Sequence, residues 1–253
     1  MKTKEVLRRI IHKHSLSFAF NVFMFALGFI IAISFSDNNV MLNIGCSICA
    51  SSVISFGSLL FFSKKELSDE IINHWGLTNI YRSRSEMNAD CSMDLDKAME
   101  HIDYIGFGFK SLIDAKSKVI EEKAVHGVKI RFLVMDPESE FLKEREAIEN
   151  SSEGSIRKSI YNLEEWIRHL RTLSNNSENI QLRYYDSLPL DYYNRIDDAV
   201  YMGPYWFGKS SQQTVSYRFQ SNSEGYKLYT EYFSDLWESK DLKKRDPLQK
   251  KRS

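Results

Sequence analysis

Between Ser15 and Ser63 the chain carries no basic residue and a single acidic one, Asp37. No other feature of the 253 residues constrains folding as strongly. Two apolar runs fill this stretch, SLSFAFNVFMFALGFIIAISFS (Ser15–Ser36) and VMLNIGCSICASSVISFGSLLFFS (Val40–Ser63), with only Asp37-Asn38-Asn39 between them. As helices, each reaches about 30 Å, the thickness of a bilayer's hydrocarbon core. The expected result is a transmembrane helical hairpin over residues 1–65. A cleaved signal peptide has a shorter apolar core and a small-residue cleavage site, and cleavage here would strand the second span. Lys2, Lys4, Arg8, Arg9 and Lys13 precede the first run, Lys64 and Lys65 follow the second, and the turn has no cation. The positive-inside rule then places both ends in the cytoplasm and the turn outside, as expected for a multi-pass protein.

The two runs differ in texture. The first is rich in Phe and Ile and suits contact with lipid. The second carries Ser47, Ser51, Ser55 and Ser58 at spacings of four, four and three, so they share one helical face. Small residues at that spacing let membrane helices approach closely. Packing on the first helix, self-association between chains, and a polar water path in an oligomer are three readings this stripe allows. Asn21 and Asn43 are polar groups at membrane depth that need partners, and they lie near opposite sides of the bilayer. Cys46 and Cys49 form a Cys-x-x-Cys pair without a second pair. They read as small interface residues and not as a metal or redox site. Nothing in the sequence demands a metal or a cofactor.

The charges, 34 basic and 34 acidic, fall outside the apolar block except for Asp37, almost all in the soluble part. Residues 66–74 form a polar extension that can continue the second helix. The soluble domain is expected from Gly76 to Ser239, and a basic tail, 240–253, can touch anionic headgroups. Ser92 is expected to cap a helix carrying Leu95, Ala98, Met99 and Ile102 inward, with a strand over Ile102–Phe107. Ser111 and Asp114 suggest a capping box for the next helix, which His126-Gly127 ends. Val128–Met135 reads as a strand closed by Asp136-Pro137. Ile156, Ile160, Leu163, Ile167 and Leu170 recur at helical spacing. Strands are expected over Ile180–Tyr185, Asp191–Arg195, Ala199–Met202 and Thr214–Phe219, followed by a helix with Tyr229, Phe233, Leu236 and Trp237. The fold class is α/β with a mixed sheet.

The strand Ile102–Phe107, the run His126–Pro137, the strand Ile180–Tyr185, the segment Arg195–Tyr205 and the closing Phe233-x-x-Leu-Trp237 together resemble one half of a phospholipase D-like domain. In that family a His-x-Lys precedes an Asp by five residues; His attacks phosphorus and Lys stabilises the phosphoryl charge. None of the six histidines begins such a triplet. Aligning the Asp on Asp198 puts Asp191 and Tyr193 at the His and Lys positions, and aligning it on Asp197 puts Leu190 and Tyr192 there. Arg195 is the only nearby cation. The resemblance therefore implies the fold without the family's reaction.

Ligand-binding candidates are Arg82 and Arg84 for a phosphate, Asp136 at a strand end, the Asp197-Asp198 pair, and Tyr205 within an aromatic cluster that can stack on a base. Gly106-Phe107-Gly108 is too short to stand as a phosphate loop. The whole arrangement is similar to two-transmembrane effectors of bacterial antiphage systems, such as retron accessory proteins. That resemblance implies the bilayer, further copies of the chain, and a reverse transcriptase with its RNA–DNA product or another defence-system sensor as partners. A membrane-tethered phosphodiesterase (nuclease or lipase) and a non-toxic scaffold are the alternatives.

Overall fold

An uncharged apolar run can satisfy its backbone only within itself, and both runs do so as helices. In a computed structural model, which describes residues 15–187 and 191–239 except for the side chains at 63, 64, 66 and 67, α1 is Ser15–Ser34 and α2 is Asn39–Asp69. Both are long and apolar enough to cross a membrane. The turn ends one residue earlier than expected, because the Asn38 side chain accepts from the N–H groups of Val40 (3.1 Å) and Met41 (3.3 Å) and so caps α2. The polar extension does continue α2, through Asp69 and then a π-helical turn, Glu70–His74. The chain divides into two compact units between Ile71 and Ile72. The flanking basic residues 2–13, the tail 240–253 and residues 188–190 lie outside the described residues.

Within the hairpin the helices meet at two glycines. A Cβ on Gly45 would lie 2.6 Å from the Ala32 nitrogen, and one on Gly28 would lie 2.9 Å from the Gly45 oxygen. Ser52 is buried beside this crossing, its hydroxyl bonded to the Ile48 carbonyl at 2.8 Å. The Cys49 thiol reaches the Phe25 carbonyl of the other helix at 3.6 Å. Cys46 is exposed and takes no part in this contact. Asn21 is buried and donates to the Ser17 carbonyl of its own helix, 2.9 Å away.

The second unit is α/β. A seven-stranded mixed sheet runs in the order β1-β7-β6-β5-β2-β3-β4. Its strands are β1 (Leu77–Tyr81), β2 (His101–Gly106), β3 (Lys129–Met135), β4 (Ile180–Tyr185), β5 (Asp191–Ile196), β6 (Ala199–Pro204) and β7 (Ser216–Gln220). β2, β3 and β4 are parallel; all other pairs are antiparallel. The helices are α3 (Arg84–Lys97), α4 (Lys110–Val125), α5 (Phe141–Glu149), α6 (Ser155–Leu173) and α7 (Glu224–Glu238).

Alternation along the strands assigns the faces. Ile102, Tyr104 and Phe132 point toward α3, α4 and α6, where Phe132 meets Trp166 edge-on. α6 buries Ile160, Leu163, Ile167 and Leu170 completely, each contributing roughly 1.5–3 kcal/mol. Asp103 and Arg131 point the other way, toward α7, where the Arg131 guanidinium lies 4.6 Å from the centre of the Phe233 ring.

Three local expectations are corrected. Ser92 does not start α3; it sits inside that helix and bonds back to the Asn88 carbonyl at 2.5 Å. The cap is Ser83, which accepts from Glu86 N–H at 3.2 Å while Glu86 accepts from Arg82 N–H at 2.9 Å. Met99, expected inward, is 77 % exposed beyond the helix end. Ser111 and Asp114 form no capping box, since α4 starts at Lys110, whose ammonium pairs with Asp114 at 2.8 Å. The edge strand β1 and helix α5 have no counterpart in the sequence reading.

Candidate functional site

A cleft opens at the C-terminal end of the parallel strand β2, where α/β sheets place ligands. β2 ends at Gly106, and the loop Phe107-Gly108-Phe109 leads directly into α4. Both glycines are required by close approach. A Cβ on Gly106 would sit 2.9 Å from the Phe109 ring, and one on Gly108 would sit 2.4 Å from the Ser159 Cβ on α6. Phe109 itself adopts a left-handed conformation (φ 53°), a strained state for a residue with a side chain. No side chain caps α4, so the first amides of the helix face the cleft without a protein acceptor from a cap. By contrast α6 is capped by the buried Glu146 carboxylate, which accepts from Gly154 (2.8 Å) and Ile156 (2.7 Å).

The outer cleft has a volume of about 350 Å³ and is lined by Arg84, the 106–111 loop, Tyr205 and Ser210–Gln212. The Arg84 guanidinium lies over the Tyr192 ring at 4.1 Å. Arg145 is buried, pairs with Glu149, and packs over Tyr205 (4.8 Å) and Phe107 (5.5 Å). Burial pushes the hydroxyl pKa of both Tyr192 and Tyr205 up to about 12, against the lowering pull of Arg84 on each. Both phenols are therefore neutral at physiological pH.

Arg84, Ser111 and Gln212 also line a deeper chamber of about 110 Å³ under α3 and α4. Its walls include Tyr104, Asn194 and Cys91. Tyr104 is 1 % exposed and Asn194 5 % exposed, yet the Tyr104 hydroxyl and the Asn194 carboxamide oxygen have no hydrogen-bond partner. Burial raises the Cys91 thiol to about 11, against the pull of Arg84, so it stays protonated and unreactive.

The six expected ligand residues do not form one site. Arg84 and Tyr205 come together in the cleft. Arg82 and Asp136 sit at the same end of the sheet without lining it: Arg82 is exposed, and Asp136 turns the chain by accepting from Glu138 N–H at 2.9 Å. Asp197 and Asp198 lie at the opposite end, in the β5–β6 turn.

There Asp197 is a clamp. Its carboxylate accepts from the N–H groups of Met99 (2.7 Å), Glu100 (2.9 Å) and His101 (2.7 Å) ahead of β2. Burial alone would raise its pKa, but these three bonds outweigh it and hold the carboxyl below its ordinary value. Neighbouring Arg218 is held by Asp94 (3.0 Å), the Tyr201 oxygen (3.0 Å) and Thr78 (3.1 Å). Nothing local in the sequence marks Tyr104, Asn194 or the open end of α4 as one site, because they lie far apart along the chain.

At the aligned nucleophile and lysine positions, Asp191 and Tyr193 or Tyr192 occupy β5, and Leu190 lies outside the described residues. No histidine lines the cleft among the described residues. No protein-family model and no curated protein matches the chain. Among solved structures, the chain is similar to TrmBL2, an archaeal chromatin protein described as showing a novel mode of DNA binding. That match has 14 % identity and a TM-score of 0.42, and covers 78 % of this chain and 68 % of that one. It is also similar to a phospholipase D family member from Salmonella typhimurium, at 12 % identity and a TM-score of 0.40, over 66 % of this chain and 97 % of that one.

Proposed function

We propose that this is a membrane-anchored effector, acting in bacterial antiphage defence, in which the α/β domain recognises a ligand or partner and the hairpin then assembles and disrupts the inner membrane. The reading treats the domain as a degenerate phospholipase D-like half, on the strength of its strand order in sequence and its missing His-x-Lys. It places both chain ends in the cytoplasm, on the strength of the basic residues flanking the spans. The partners expected are a reverse transcriptase with its RNA–DNA product, or another defence-system sensor.

One observation carries the reading. Ser47, Ser51, Ser55 and Ser58 are exposed on α2, while Gly45, Cys49 and Ser52 supply the contact with α1. A small, polar helix face left uncovered within one hairpin is suited to meet another copy in lipid. Ser47, Ser51 and Ser55 border a groove of about 610 Å³ that also holds Asn21 and Asn43. Polar groups in hydrocarbon favour association that buries them.

The test is membrane potential in cells after induced expression or activation of the protein, read with a voltage-sensitive dye. Depolarisation that precedes growth arrest is the expected result. Growth arrest at unchanged potential would point to the phosphodiesterase alternative, and harmless expression to the scaffold. Either would overturn the proposal.

A further inference from the structure

The sensing role proposed above leaves the ligand unnamed, and the cleft narrows its chemistry. At one end the open N-terminus of α4, a helix of 16 residues, presents amides and a positive dipole end to the outer chamber. Arg84 stands beside it, and Lys110 opens the helix. The acids that share this chamber are engaged: Asp114 by Lys110, Glu149 by Arg145 and by the Ser211 N–H at 3.3 Å. Those pairs occupy Lys110 and Arg145 as well, so Arg84 and the first amides of α4 are what is left for a ligand anion.

At the other end the inner chamber holds two buried polar atoms without partners, the Tyr104 hydroxyl and the Asn194 carbonyl-type oxygen. A buried group left unpaired costs free energy unless something binds it. One is able to donate; the other only accepts. Their side chains leave the same face of the sheet side by side, since Tyr104 and Asn194 are direct partners in the β2–β5 ladder. Arg84, Ser111 and Gln212 line both chambers, which are therefore adjacent. The outer chamber, about 350 Å³, falls at the small end of ligand-site volumes, roughly 300–1,000 Å³.

We infer that this two-chamber cleft binds a small phosphorylated ligand, with the phosphate at Arg84 and the α4 N-terminus, and a donor-and-acceptor edge such as that of a nucleobase against Tyr104 and Asn194. Inorganic phosphate fills only the outer chamber, and an uncharged nucleoside only the inner one. A nucleoside monophosphate spans both and is the smallest common probe that does.

The experiment is calorimetric titration of the full-length protein in lipid nanodiscs with inorganic phosphate, the four common nucleosides, and their 5′-monophosphates. At least one monophosphate is expected to bind ~10-fold or more tightly than both its nucleoside and phosphate. Tyr104→Phe removes only the unpartnered hydroxyl, keeps the ring, and is expected to weaken that monophosphate by ~10-fold while melting no lower than the parent protein. Arg84→Met is expected to weaken phosphate and monophosphate alike. Absence of binding at millimolar concentration, or binding that both substitutions leave unchanged, would overturn the inference. Depolarisation of cells with no binding would sink this ligand assignment alone. Binding without depolarisation would sink the effector reading and leave the site.

Discussion

The two ends of the sheet treat their polar groups differently. At the end where β5 turns into β6, Asp197 takes three backbone N–H groups and Arg218 is held by three side chains. Just inside it, the buried Asp103 carboxylate is gripped by Arg131 through two bonds (2.6 and 2.8 Å) and approached by Arg195 at 3.4 Å. At the other end Tyr104, Arg145, Tyr185 and Asn194 each keep a buried atom unpaired; toward the closed end the His101 ring nitrogen and the Tyr193 hydroxyl, which lies near Asp103 and Arg195, do so as well. Saturated polar networks hold a fold in one state. Tyr104 and Asn194, unsaturated and lining the cleft, are the atoms on which the proposed ligand site rests. The same division runs around α2, where Gly45 and Ser52 are consumed by the hairpin and the serine face is not.

If this contrast is sound, substitutions at the closed end lose stability, and those at the open end lose function. Arg131→Met strands the Asp103 charge with only Arg195 nearby, and should cost about 3–5 kcal/mol in denaturant unfolding of the α/β unit. A loss below about 1 kcal/mol would break the contrast at its strongest point. In the hairpin, Gly45→Leu forces a side chain into the Ala32 backbone. Overpacking of that size should cost up to about 3 kcal/mol and part the two helices, read as lost protease protection in nanodiscs.

Asp197→Ala removes three charge-assisted bonds and should cost about 2 kcal/mol. Because the native pKa of Asp197 lies below the ordinary value, its contribution is complete above pH ~4 and fades as pH falls through the native value. The parent protein should therefore lose more stability than the Ala variant on acidification, and parallel acid curves would contradict the clamp. The smallest effect belongs to the open end. Tyr104→Phe should leave the thermal midpoint unchanged or raise it, by about 1 kcal/mol at most, since no hydrogen bond is lost. Destabilisation would mean that the hydroxyl has a structural partner.

These contrasts also explain what the sequence could reveal. α6 was legible because Ile160, Leu163, Ile167 and Leu170 repeat a helical period against one apolar surface. β3 and β4 read as strands because each is β-rich and bounded by turn residues. β1 was missed because Leu77–Tyr81 is an edge strand with mostly exposed residues, among them Ile80 at 64 %. The start of α3 is marked in the sequence by Ser83-x-x-Glu86, while the apolar spacing of Leu95 and Ala98 points to a start further downstream. For the site, Arg84 and Tyr205 were nameable as a cation and an aromatic. Their meeting was not, because it depends on strand order and on the strained turn at Phe109. Asp197 and Asp198 drew attention as a carboxylate pair, and only the β5–β6 turn geometry reveals that Asp197 is spent on backbone amides.

The claim that the uncovered face of α2 carries the activity is tested most directly by one comparison. Membrane potential is followed in cells expressing the parent chain or a Ser51→Leu, Ser55→Leu double variant, with membrane insertion checked for both. The account predicts that the parent depolarises the cells and that the variant, inserted at equal level with its hairpin intact, does not. Depolarisation by the variant as fast and as complete as by the parent would contradict it.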